Sequence, residues 1–169
     1  MRRNTPLVAL VAVLLGLSAS ARAAAQKPAN GVGRKTACAL LSSAEIQRAT
    51  GRNDVARSPG QSEEAGFTSN CQHFGAVDIT IHLGNQTKVM FARERDTYAK
   101  APARLGYKVE RVSDLGDDAY SLSYSGKMEV RTMVGETELA VSLSGSLPPE
   151  ADAKKMALSL AKAGVAKLR

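Results

Sequence analysis

This chain has no tryptophan, only three Phe and four Tyr, two His and two Cys among 169 residues. Each scarcity removes a class of function. Single-stranded nucleic acid is held on aromatic platforms along a basic groove, and the few aromatics here are scattered, so nucleic-acid binding is not expected. No CxxC pair, HExxH, GxSxG or GxxxxGK[ST] occurs, which takes away the local signatures of zinc sites, zincins, nucleophile elbows and phosphate loops. After residue 17 no apolar run is long enough to span a bilayer. Apolar residues still make up 44% of the chain, too many for a wholly disordered protein.

The N-terminus has the three parts of a secretory signal: Met1-Arg2-Arg3, an apolar stretch from Leu7 to Leu17, and the cleavage options Ala21-Arg22-Ala23 and Ala23-Ala24-Ala25. The expected organisation is a signal peptide over 1–25, a flexible leader over 26–36 and one domain over 37–169. Of 23 basic residues, Arg2, Arg3 and Arg22 leave with the signal; the remaining 20 against 16 acidic residues give a modest net charge of +4. Cys38 and Cys71 would then sit in an oxidising compartment, where an even count points to one disulfide. Closing a loop of that size is worth about 3–4 kcal/mol in the chain-entropy account. No cysteine directly follows the signal's apolar run, so no lipid anchor is expected.

Periodicity gives the elements. Ser42-Ser43-Ala44-Glu45 has a capping-box pattern opening a short helix that Gly51 stops. Arg52 to Gly66 reads as loop, with one short strand near Val55. Phe67 to Phe74 is a strand, followed after Gly75-Ala76 by Val77, Ile79, Ile81 and Leu83 alternating with Asp78, Thr80 and His82. Thr87 to Ala101 changes to a helical period, with Met90, Phe91, Tyr98 and Ala101 on one side, and ends at Pro102. Strand patterns over 107–111, 120–124, 128–134 and 139–143, broken by glycine-containing turns, predict an antiparallel meander. Pro148-Pro149-Glu150 opens a terminal helix whose apolar stripe is Met156, Ala157, Leu160, Ala161, Gly164 and Leu168. The fold class is therefore α+β: an antiparallel sheet with helices packed on one face, stapled by one disulfide.

Candidate chemistry is thin. His82, Thr80 and Asp78 share an outer strand face, but Asp78 and His82 lie about 13 Å apart at strand rise, too far to share a ligand. Asp114, Asp117 and Asp118 bracket Leu115-Gly116 without the spacing of a calcium loop. The turn Leu115, Gly116, Asp117 and Asp118 is expected to be structural, with glycine at positive φ and an Asp side chain holding an amide. No catalytic, cofactor or metal residues are assigned.

The combination Cys38-Ala39-Leu40-Leu41-Ser42-Ser43-Ala44-Glu45-Ile46, Gly51, Cys71 and Asp114-Leu115-Gly116-Asp117-Asp118-Ala119-Tyr120 resembles a loose group of small exported bacterial proteins of unknown function, many of them lipoproteins. This chain differs in lacking the lipid-carrying cysteine and in having His73-Phe74 where Tyr or Trp often follows the second cysteine. The resemblance implies an envelope protein and a fold, and brings no activity. The expectation is an exported, periplasmic or secreted, non-catalytic binding module without cofactor, meeting an envelope protein, peptide or small ligand. The alternatives are an enzyme inhibitor or sensor-like accessory domain, and a hydrolase whose site assembles in space. N-terminal sequencing of exported protein should start just after Ala23 or Ala25; a detergent-extracted chain still beginning at Met1 refutes the signal.

Overall fold

The computed structural model describes residues 36–58 and 68–169; the expected signal peptide, nearly all of the expected leader, the later part of the expected loop and Phe67 lie outside them. The elements are α1 (Ala37–Leu40), α2 (Ser43–Thr50), β1 (Ala56–Arg57), β2 (Thr68–Phe74), β3 (Val77–Asn85), α3 (Lys88–Ala99), β4 (Lys108–Arg111), β5 (Asp118–Tyr124), β6 (Lys127–Val134), β7 (Thr137–Gly145) and α4 (Glu150–Leu168). Short 3-10 turn Ala103–Leu105 links α3 to β4. The class is α+β: a seven-stranded antiparallel sheet in the order β1-β2-β3-β7-β6-β5-β4.

Strand alternation sorts the sheet's residues into two faces. On one, Cys71, Ile81, Val141 and Val130 lie side by side across β2, β3, β7 and β6, and all are fully buried. α4 covers this face with Ala153, Ala157, Leu160, Ala161, Gly164, Val165 and Leu168. Small residues let the helix come close: a Cβ built on Gly164 would lie 2.7 Å from Leu139 Cδ2. Leu40, Leu41 and Ile46 of the α1–α2 segment complete this core. The disulfide is present, with Cα atoms 4.9 Å apart, and ties α1 to β2. α1 itself has no sequence signature. Its start is held by the Ala37 amide donating to Ser69 Oγ at 3.0 Å, a contact only the fold can supply.

The helices do not all share one face. α1, α2 and α4 do, but α3 packs on the other side, where Phe91 meets Tyr120, Leu122 and Met133. The physical reason lies in β5 and β6: they alternate between two apolar sets, so the sheet needs cover on both sides. α3 starts at Thr87, whose hydroxyl accepts from the Met90 amide at 3.3 Å. Its inward residues are Phe91, Glu94, Arg95 and Tyr98, spaced i, i+3, i+4, i+7. Met90, expected inside, is 51% exposed, and so is Val89 at 77%. The 3.6-residue period cannot distinguish neighbouring stripes when charged side chains line the buried one.

The capping box of α2 forms as the sequence pattern requires. The Ser42 amide donates to Glu45 Oε2 at 2.8 Å, and the Glu45 amide donates to Ser42 Oγ at 3.3 Å. The same carboxylate accepts from Lys167 Nζ at 2.8 Å, pinning α2 to the end of α4. Lys167, then Ser42, hold the Glu45 carboxyl down to about 2 from its ordinary 4.5. A depressed folded-state value contributes stability above the unfolded value and loses it as pH falls through the folded one. Glu45→Gln should therefore lower the melting temperature at pH 7. The gap to wild type should close as pH drops from about 4.5 to about 2. A gap that is constant across that window would place the effect elsewhere.

The turn before β5 is locked from three sides. Gly116 has φ +63°, and a Cβ there would lie 2.2 Å from Thr132 Oγ1 and 2.3 Å from the Met133 carbonyl oxygen. Thr132 Oγ1 donates to the Leu115 carbonyl at 3.1 Å, and the Asp117 amide donates to the Met133 carbonyl at 2.7 Å. Left-handed backbone strain and a backbone clash add, so Gly116→Ala should cost at least about 2 kcal/mol in denaturant melts. A loss below about 0.5 kcal/mol, within ordinary surface scatter, would contradict this packing.

Candidate functional site

The residues singled out by sequence are dispersed. Asp118 is bound by Arg95 Nη1 at 2.8 Å. Asp117 accepts from the Gly135 amide at 2.9 Å, which holds its carboxyl below the ordinary range, and lies 3.5 Å from Lys88 Nζ. Asp114 takes φ +58° in the same turn. The carboxylates of Asp117 and Asp118 are thus spent on separate contacts. Among the described residues no group of three or more His, Cys, Asp or Glu side chains is placed to hold a metal ion. His82 and Asp78 share a face, yet each has its own partner. His82 Nδ1 lies 2.7 Å from Asn70 Oδ1, so it carries the proton there, while Asp78 accepts from the Gly75 amide at 3.4 Å. His73 lies on the opposite face, buried, with Nε2 3.5 Å from Cys71 Sγ.

A charged cluster that sequence reading missed sits under α3. Arg131 on β6 is met by Glu94 from α3, by Glu129 Oε1 at 2.8 Å and by Glu138 Oε1 at 3.0 Å, and it donates to the Tyr120 hydroxyl at 3.1 Å. Burial pushes the Glu138 carboxyl up, and burial likewise raises Tyr120. His82 nearby is held neutral by burial and by the Arg131 charge. Leaving such a charge without its partner costs several kcal/mol, so the cluster bolts α3 to the sheet. Its only sequence trace is Glu129 and Arg131 at alternate positions on one strand face.

The open site lies at the end of the sheet where α4 begins. There the β5–β6 turn, the start of β4 and the β7–α4 connection enclose a cleft of about 450 Å³. Its size is that of a small-ligand pocket. Met128, Leu147 and Ala153 supply apolar lining, and Tyr124 stands beside Lys127, whose ammonium is 5.9 Å from the ring centre. Lys108 Nζ donates to both carboxylate oxygens of Glu150 at 2.9 and 3.0 Å, and Ser123 Oγ donates to Glu150 Oε1 at 3.2 Å. β4 and β5 position Lys108 and Ser123 by cross-strand pairing, and the first turn of α4 brings in Glu150.

The arrangement is an exposed ion pair with a hydroxyl bound to its carboxylate. Its hydrogen bond to Glu150 raises the Lys108 ammonium above its ordinary value, and Lys108 in turn lowers the Glu150 carboxyl. A lysine kept protonated is no general base, and a carboxylate made less basic is a poor one for Ser123. No local motif marks the cleft, because its walls come from segments far apart in sequence. The glycines and prolines around it, Gly106, Gly126, Gly145 and Pro148, are the one signal of irregular backbone there. Compared with known proteins, the chain matches no family model, no curated protein and no solved structure.

Proposed function

We propose that this chain is an exported, non-catalytic binding module of the bacterial cell envelope, with the cleft at the start of α4 as the seat of a small ligand. The observation that carries the reading is the convergence of Lys108, Glu150 and Ser123 over apolar Met128, Leu147 and Ala153. Apolar lining with a few placed polar groups is how small-molecule sites combine affinity with orientation. The ligand is amphipathic: its apolar part lies on Met128 and Leu147, and its polar part meets Lys108, Lys127 and Glu150. The disulfide suits an oxidising compartment, and no helix among the described residues is long and apolar enough to cross a membrane. A second reading, an accessory or inhibitory domain for an envelope protein, is favoured by the exposed Val89 and Met90 at the start of α3.

Native mass spectrometry of protein captured from the envelope fraction tests the cleft. Wild type should carry a retained small molecule. Ser123→Phe, which fills the cleft from a half-buried position on β5, should lose it while melting within a few degrees of wild type. No retained mass, or the same mass on both proteins, overturns the reading.

A further inference from the structure

The cleft leaves one buried titratable group unexplained. His73 is 1% exposed on the face beneath α1, and its Nδ1 is buried with no hydrogen-bond partner. An unpaired polar group in such a place costs about 1–3 kcal/mol, so its presence calls for a reason. The other ring nitrogen gives one. Nε2 lies 3.5 Å from Cys71 Sγ, a disulfide sulfur that can only accept, so Nε2 carries the hydrogen and Nδ1 is a bare lone pair. Burial, then the charge of Arg57 directly across on β1, hold the imidazole neutral. Its other neighbours, Ile79 across on β3 and Cys71 on its own strand, carry no charge while the bridge is intact.

The two sulfurs are not equivalent. Cys71 is fully buried, whereas Cys38 is half-buried on α1, the shortest helix. We propose that the Cys38–Cys71 bridge is a thiol–disulfide exchange site, in which an external dithiol attacks the Cys38 sulfur, Cys71 leaves as a thiolate, and His73 stores a proton on Nδ1. The dithiol's first thiolate bonds to Cys38 Sγ as the Cys38–Cys71 bond breaks, and the electron pair of that bond stays on Cys71. The second thiol of the reductant then displaces Cys38 from the mixed disulfide. In sum, the dithiol is oxidised by two electrons to its cyclic disulfide and gives up two protons, one ending on Cys38 and one on His73. A thiolate formed 3.5 Å from the ring supplies the opposite charge that the oxidised site lacks. A leaving thiol of low proton affinity leaves faster, and a stabilised reduced form makes a disulfide more oxidising. Reduction removes the covalent tie between α1 and β2 and leaves α1 held there by packing and by the Ala37–Ser69 hydrogen bond.

The test uses the mature chain and dithiothreitol, with thiols counted by alkylation and mass. His73→Phe should slow reduction about tenfold or more and shift the equilibrium about tenfold toward the disulfide, near 30 mV. Reduced wild type should show thiolate absorbance in the ultraviolet at neutral pH, from one thiol titrating well below the ordinary value of about 8.5. His73→Asn, which donates a hydrogen bond but stores no proton, should lack that absorbance. Unchanged reduction in His73→Phe overturns the proposal. So does a reduced wild type whose two thiols both titrate near the ordinary value, and that measurement decides alone if neither variant folds.

Discussion

The structure depends on the pairing of β3 with β7. Nine register pairs, from Val77 with Gly145 to Asn85 with Thr137, join the N-terminal hairpin to the C-terminal meander. Without that ladder, β2–β3 would be an isolated hairpin, marginal in water. The four-stranded meander would show an apolar edge at β7. With it, Ile79, Ile81 and Leu83 line up beside Leu143, Val141 and Leu139, and α4 has a continuous surface to cover. The register is unforgiving: a slip by one residue would turn every one of these side chains to the opposite face.

Two covers of different character follow from that sheet. The α4 side is closed by small and aliphatic residues at close approach, with Gly164 against Leu139. The α3 side is closed by aromatic contacts, Phe91 with Tyr120 at 5.1 Å between ring centres and Tyr107 between Tyr98 and Tyr124 at 5.2 Å from each, and by charge around Arg131. A charge cluster with three carboxylates and one guanidinium stabilises less than apolar packing and demands more geometry. It fixes the placement of α3 more than it strengthens the fold. The sheet's outer edges are blunt: β1 is two residues long, and β4 carries Lys108, Glu110 and Arg111.

The cleft and the disulfide occupy different parts of this frame. One lies where β5, β6 and the start of α4 meet, the other where α1 crosses β2. Both draw on elements that the β3–β7 ladder brings into one sheet. In the cleft, Lys108 and Glu150 satisfy each other while both stay exposed to solvent. At the bridge, His73 is buried, with the Cys71 sulfur 3.5 Å from its Nε2.

Local physics was legible in the residues themselves. The capping box at Ser42 and Glu45, the stop at Gly51, the alternation through Val77 to Leu83, the breaks at Ser125-Gly126 and Gly135, and the stripe of α4 each rest on interactions within a few positions. The cysteine pair was legible too, because two cysteines leave one connectivity. What the sequence could not reveal is long-range: β3 beside β7, α3 on the far face, Arg131 among Glu94, Glu129 and Glu138, Lys108 over Glu150, and the orphaned nitrogen of His73. Each joins groups that periodicity cannot place together, since alternation fixes only which way a side chain points along its own strand. Which side chain it then meets is decided when the strands choose their neighbours, and in this protein that choice was made by the tertiary structure.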